Sequence, residues 1–412
     1  MYLAGFLTFI DRPKADAGRS IAKLGGLGVA VKVITGDNGT VASTVCRDIG
    51  LDVEQVHTGA ELDRLDDDDL AAAIPHTTVF ARVSPDQKSR IIKVARRTGV
   101  DVAFLGDGVN DAVALHTADV GISVESATDV AKDAADIVLL DKDLGVLADG
   151  VMEGRRIFAN TLKYVLMATS SNFGNMFSAA GASLFLWFLP MLPSQILLNN
   201  LLYDTGQLAI PTDRVDPETL ARPAAWDIGF VRRFMIVFGP VSSIFDFLTF
   251  FVMLRVLHTS HSEFRSGWFV ESLATQTLVV FVIRTRRVPF FHSRPSVPML
   301  VAPVMCALIC AVLPFTPLAG FLGFATLPVS FFLILLGMIA TYLLLVEIAK
   351  RRFYAVQAHP RRPRPTKQQR HQRHIQQRAA RFIDHPTSQP RGRRPGPGPA
   401  RQRVEVGNGQ AR

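Results

Sequence analysis

The stretch Gly106-Asp107-Gly108-Val109-Asn110-Asp111-Ala112 follows directly on an apolar run, Val102 to Leu105. A glycine turn separates two carboxylates, four residues apart, from that run. A strand that ends this way places both acids at its carboxyl end, where open α/β sheets bind ligands. Two hard carboxylates in one crevice favour a divalent cation such as Mg²⁺, which keeps waters and meets a substrate phosphate. Further on, the chain becomes a series of long apolar segments. A phosphate-and-metal site joined to such a bundle suggests ion transport driven by phosphoryl transfer.

Outward from this stretch, strand-like and helix-like runs alternate. Val29 to Ile34 is rich in β-branched residues and ends in Thr35-Gly36-Asp37-Asn38. Thr40 to Ile49 reads as a helix closed by Gly50, and Thr78 to Ala81 as a short strand. Ser84-Pro85-Asp86-Gln87 opens a helix with a capping residue and Pro at its first position. Val120 to Val124 and Asp136 to Leu140 read as two more strands. This alternation predicts an α/β domain with a parallel sheet covered on both faces. The acidic run Asp66 to Asp69 reads as a solvated surface between elements.

From Ile157 hydropathy takes over. Six spans are expected, at about 160–189, 193–211, 232–257, 268–284, 297–317 and 327–349, each near the roughly 17–25 residues of a bilayer crossing. Arg155, Arg156 and Lys163 lie at the start of the first. Arg214, Arg222, Arg232 and Arg233 follow the second, Arg284, Arg286 and Arg287 the fourth, and Lys350, Arg351 and Arg352 the sixth. The alternate loops carry Arg265 and no other Lys or Arg. The positive-inside rule therefore predicts that the α/β domain and both termini are cytoplasmic.

The chain has 412 residues, 48% of them hydrophobic and 9% aromatic, with a net charge of +9. Residues 361–412 hold 14 Lys and Arg against 2 Asp and Glu, so everything before them is net acidic. The segment 353–412, rich in Arg and Pro, has little to bury and is expected to be disordered. Its charge suits anionic lipid or nucleic acid, with a solvated extension as the plainer reading; no nucleic-acid partner is expected. Cys46, Cys306 and Cys310 lack the count and spacing of a disulfide framework. Cys306 and Cys310 share a helix face and are expected to pack as small apolar residues.

Four groups are expected to converge on one phosphate. Thr35, with the amides around Gly36 and Asp37, can hold phosphoryl oxygens. Lys88, in the first turn of the Pro85 helix, offers a point charge. Asp107 and Asp111 supply the metal, and Asn110 can donate to a phosphoryl oxygen. Phosphoryl transfer depends mainly on such positioning and charge neutralisation.

In this order, Thr35-Gly36-Asp37, Pro85-Asp86-Gln87-Lys88 and Gly106 to Asp111 resemble the phosphorylation-domain signatures of P-type cation-transporting ATPases, within the haloacid dehalogenase superfamily. The resemblance covers residues 1 to about 350. It implies a partial Rossmann-like phosphorylation domain at 1–156, a six-helix transport domain at 157–352 and the basic tail beyond. Val113 stands where the family usually has proline. The family's phosphorylated aspartate lies in an Asp-Lys-Thr-Gly-Thr motif, which does not occur in this sequence. The resemblance thus implies the carboxyl-terminal half of a pump in the cell membrane that uses Mg²⁺ and ATP when intact. This polypeptide is expected not to hydrolyse ATP alone. The alternative is a non-catalytic membrane protein, or a split-pump subunit that assembles with a partner half.

Polar residues within apolar spans suggest function. Asn172 and Asn175 lie in the first span, one turn apart, and Asn200 and Asp204 in the second. Amides and one carboxylate facing a neighbouring helix can coordinate a cation, or the amides can simply join helices. The resemblance gives these four positions to the transport site. The wording Asn199-Asn200-Leu201-Leu202-Tyr203-Asp204 is most similar to the magnesium-translocating branch, which moves Mg²⁺ inward. Glu271 can line the path, and either Glu271 or Asp246 can instead sit near an interface and snorkel.

Overall fold

Ser84 starts its helix as its chemistry dictates. Its Oγ accepts the Gln87 N–H at 3.2 Å, and Gln87 Oε1 accepts the Ser84 N–H at 2.9 Å, a closed capping box. The computed structural model describes residues 14–358, apart from 15, 142, 222 and 290. Its α/β lobe runs α1 (Ala17–Gly26), β1 (Val33–Ile34), α2 (Gly39–Asp48), β2 (Gln55–Thr58), α3 (Gly59–Leu62), α4 (Asp67–Ala73), β3 (Thr77–Ala81), α5 (Pro85–Arg97), β4 (Ala103–Leu105), α6 (Ala112–Thr117), β5 (Val120–Val124), α7 (Asp129–Ala134) and β6 (Ile137–Leu139).

The strands are all parallel, but among the described residues they form two three-stranded sheets, β1-β3-β2 and β4-β5-β6, rather than one continuous sheet. Every residue of β3 is buried, Thr77 and Thr78 included, as in a parallel strand covered on both faces. Ile34 packs against both the Phe80 cluster and the Phe104 cluster, and so lies against the cores of both sheets. The strand expected over Val29 to Ile34 shrinks to its last two residues. Val29 instead donates its N–H to Leu24 O, and Gly28, at φ +75°, donates to Gly25 O. This is a Schellman cap on α1, and it takes up the backbone that a longer strand would need.

The acidic run is a helix start, not a link between elements. Asp66 Oδ1 accepts the N–H groups of Asp68 and Asp69, capping α4, whose first turn then carries three acids at its positive end. Asp67 also takes Arg90 and Arg97, and the Arg90 hydrogen bond holds its carboxyl below the usual range.

The apolar part comprises α8 (Leu144–Ala182), α9 (Pro193–Gln207), α10 (Pro217–Leu220), α11 (Ile228–Phe251), α12 (His261–Leu278), α13 (Val280–Ile283), α14 (Val297–Val312), α15 (Ala319–Leu322) and α16 (Val329–Ala358). Four stretches among the described residues are long and apolar enough to cross a membrane: Ile228–Val256, His261–Ile283, Val297–Phe315 and Val329–Ala355. The first two of the six expected spans do not meet that measure. Ser170, Ser171, Asn172 and Asn175 dilute the apolarity of α8. The 15 residues of α9 reach roughly 22 Å at 1.5 Å per residue, short of a hydrocarbon core of about 30 Å.

The 94% buried window of His261–Ile283 puts α12 at the centre of the bundle, against 28% for each of the last two stretches. α16 stays helical past 353 to Ala358, so the expected tail begins later. Residues 359–412, on which the expectation of disorder rests, lie outside the described residues. Cys306 and Cys310 are buried, as their apolar setting predicts.

α8 runs unbroken from the lobe into the bundle. Near its start, Asp149 pairs with Lys23 at 2.5 Å, and Arg155 donates to Leu27 O at 2.7 Å and Leu220 O at 2.9 Å. At one end of the bundle, Asp213 is fully buried between Arg284 and Lys163. Arg284 reaches its two oxygens through Nε and Nη2 at 2.9 Å, and Lys163 Nζ lies at 2.8 Å.

Candidate functional site

β4 ends at Leu105, and Gly106 turns the chain. A Cβ at Gly106 would stand 2.6 Å from Asp111 Cβ, so glycine is what gives that side chain room. The turn is fastened to β5: Gly106 N–H donates to Ile122 O at 3.1 Å, and Ser123 Oγ donates to Gly106 O at 2.9 Å. A single 3₁₀ turn, Val109–Asp111, brings Asp111 back, and Gly108 N–H donates to its Oδ2 at 3.3 Å. The first turn of α5 delivers Lys88, whose Nζ meets Asp111 Oδ1 at 2.7 Å; the two side chains are 14% and 13% exposed. Asp107 and Asn110 stand exposed beside this pair, and Asp107 O accepts the Thr128 N–H at 3.2 Å.

The Thr35 turn follows β1 and is fixed to the end of β3. Thr35 N–H donates to Phe80 O, Val83 N–H to Thr35 O and Arg82 N–H to Asp37 O, at 2.8, 3.1 and 3.0 Å. Thr35 Oγ1 donates to Asp37 Oδ2 and accepts the Asp37 N–H, both at 3.0 Å. Gly36 and Asp37 are exposed. The structure thus joins Lys88 to Asp111 and Thr35 to Asp37. Each pair includes residues from the carboxyl end of a parallel strand, and no hydrogen bond among the described residues links one pair to the other.

Asp107 and Asp111 offer hard oxygens, but Lys88 already occupies one of Asp111's. Among the described residues no group of three or more His, Cys, Asp or Glu gathers around a point. A cation here would take two carboxylates and complete its sphere with water and phosphate oxygens, the habit of Mg²⁺. The donor set fits that ion.

In the apolar part, Asn175 Oδ1 accepts from Gln276 Nε2 at 2.7 Å and from Ser272 Oγ at 3.4 Å, tying α8 to α12. Asn172, Asn200 and Asp204 are exposed on the described surface. α9 instead turns a second set of polar residues inward, Asn199, Tyr203 and Gln207, at a spacing of four. Asn199 Oδ1, Tyr203 OH and both amide atoms of Gln207 are buried without a hydrogen-bond partner.

Comparison with known proteins gives this chain relatives. A family model described as cation transporting ATPase, C-terminus, matches residues 188–352. The magnesium-transporting ATPase, P-type 1, of Escherichia coli K12 is 49% identical over 354 residues, 85% of this chain and 39% of the relative. A protein of the same description from Salmonella typhimurium LT2 is 48% identical over the same shares. Calcium-transporting ATPase 1 of Bacillus cereus is 39% identical over 220 residues, 52% of this chain and 25% of the relative.

The chain is similar to the carboxyl-terminal part of P-type cation-transporting ATPases. It spans 39% of the length of the magnesium-transporting relatives it matches. The four long apolar stretches among its described residues, together with these P-type ATPase relatives, make it a multi-pass membrane protein. Two features of this segment were not read as such from the sequence. The inward face of α9 could have been found from the four-residue spacing of Asn199, Tyr203 and Gln207. The second is that Asp246 and Glu271 do not snorkel: each is 1% exposed, inside the bundle.

Proposed function

We propose that this chain is the carboxyl-terminal part of a pump that moves Mg²⁺ inward across the cell membrane at the expense of ATP. In this reading residues 1–156 are a partial phosphorylation domain, 157–352 a six-helix transport domain and the rest a basic tail. The lobe and both termini face the cytoplasm, as the Lys and Arg distribution supports. Lipid surrounds the helices, and the remainder of the pump, carrying Asp-Lys-Thr-Gly-Thr, is the partner. The observation that carries the reading is α8, one helix shared by the lobe with its Lys88–Asp111 contact and by the bundle with Asn172 and Asn175.

Asp107 and Asp111 would hold Mg²⁺, which neutralises phosphoryl charge when bound. Thr35 Oγ1 and the Gly36 and Asp37 amides orient phosphoryl oxygens, Lys88 adds a positive charge and Asn110 a donor. Asn172, Asn175, Asn200 and Asp204 line the cation's route. One carboxylate among amides suits an ion held partly through its waters. The exposure of Asn172, Asn200 and Asp204 supports a route completed by the partner half.

Two outcomes test this. The 412-residue chain, purified and incubated with radiolabelled ATP, is expected to acquire no aspartyl phosphate; acid-stable label would overturn the assignment of the acceptor to the other half. Joined to that half in cells that need added magnesium, the chain is expected to restore growth, and Asp204→Asn to abolish the rescue. Undiminished rescue by the variant would remove Asp204 from the route. Failure of the wild-type pair to rescue favours the second reading, a non-catalytic membrane subunit, which the lack of Asp-Lys-Thr-Gly-Thr in this sequence also supports.

A further inference from the structure

α11 and α12 bring two carboxyl groups together inside the bundle, on residues that the proposed cation route does not use. The Asp246 and Glu271 side chains lie within hydrogen-bonding reach of each other. Asp246 is fully engaged by neutral donors: Ser178 Oγ donates to Oδ2 at 2.6 Å and Trp268 Nε1 to Oδ1 at 2.8 Å. Glu271 is the opposite. Neither of its oxygens, nor neighbouring Thr249 Oγ1, has a hydrogen-bond partner of good geometry, although the Thr249 and Thr275 hydroxyls stand near the carboxyl. Thr275 Oγ1, beside Glu271, donates instead to the Glu271 carbonyl at 2.9 Å. Among the described residues, Tyr342 of α16 is the other titratable group facing the pair, with its ring edge-on to Phe245. No cation pairs with either carboxyl among the described residues.

Two adjacent carboxylates cannot both stay ionised in so dry a place, so something must neutralise one of them. A divalent cation is a poor candidate. It asks for about six oxygens, both of Asp246's are already accepting, and the walls are aromatic, with Phe245, Phe250 and Trp268 all buried. A proton needs only one donor oxygen and one acceptor. The two well-formed donors on Asp246 favour its charged form, which leaves the less well engaged Glu271 as the carrier.

We propose that Asp246 and Glu271 form a buried proton-binding site in which the Glu271 carboxyl holds a proton and donates it in a hydrogen bond to the Asp246 carboxylate. The site gives the bundle one exchangeable proton, whichever cation the pump moves, and it does not depend on the function proposed above.

Infrared spectroscopy of the full chain in lipid nanodiscs tests it directly. At neutral pH exposed carboxyls are ionised, so a protonated-carboxyl C=O stretch reports a buried acid. The expected result is one such band that shifts in D₂O, shifts again when glutamate is labelled with ¹³C at its side-chain carboxyl, and is lost in Glu271→Gln. The isotope label assigns the band in the wild-type chain, so the test stands even if the variant does not fold. Absence of the band, its insensitivity to labelled glutamate, or its loss on adding Na⁺, K⁺ or Mg²⁺ would overturn the proposal, the last by showing a metal site instead.

Discussion

An Asp213→Ala chain is expected to lose about 3–5 kcal/mol of stability, the usual cost of stripping one partner from a buried ion pair. The size follows from what is left behind. The Arg284 side chain is 1% exposed, and its Nε and Nη2 both rest on the Asp213 carboxylate. Its Nη1 donates to Ser293 O at 3.0 Å, but a neutral carbonyl does not balance the charge. Lys163 loses its partner at the same time. Arg284→Lys keeps the charge but gives up the two-pronged geometry, so a smaller loss is expected there. Unfolding of the detergent-solubilised chain, followed through its tryptophans, measures both. An Asp213→Ala midpoint equal to the wild type would mean that water solvates the guanidinium as well as the carboxylate does.

The second large effect is expected from one methyl group. Gly106→Ala places a Cβ 2.6 Å from Asp111 Cβ, against a turn that Ile122 O and Ser123 Oγ hold in place. Asp111 must move, and with it the contact to Lys88. A displacement of about 1 Å at a reacting centre costs on the order of 100-fold in rate. With this chain joined to its proposed partner half, phosphoenzyme formation is expected to fall by about that factor while the helices still insert. A rate within threefold of the wild type, roughly 0.6 kcal/mol, would show that the position of Asp111 does not limit the chemistry.

The sequence announced these two places very unequally. The Gly106 turn and the Ser84 cap are local: their residues make their own geometry, and the structure follows it. β3 and β5 were visible because they are short, mostly buried runs centred on apolar residues, Val79 to Ala81 and Ile122 to Val124. β2 was not, since Gln55 and Val56 are exposed and the strand exists only by pairing with β3. Val29 to Lys32 looked like a strand until the cap of α1 claimed Val29.

Within the bundle, polar residues occur on two faces of α9, and a sequence does not say which face turns inward. That depends on packing against α12 and α14. Asp246 and Glu271 are 25 positions apart, and only the crossing of α11 with α12 makes them neighbours. Asp213 and Arg284 are further apart still.

The 39 residues of α8 have a mechanical consequence. At 1.5 Å per residue they make a rod of roughly 58 Å. It is pinned at its base by Lys23 and by the two carbonyls that Arg155 holds, and has no proline along its length. Tilting such a lever by about 5° carries its far tip sideways by about 5 Å, nearly the pitch of one helical turn. Small rotations of the lobe would therefore arrive at Asn175 and Ser178 as displacements large enough to exchange one set of side-chain neighbours for another.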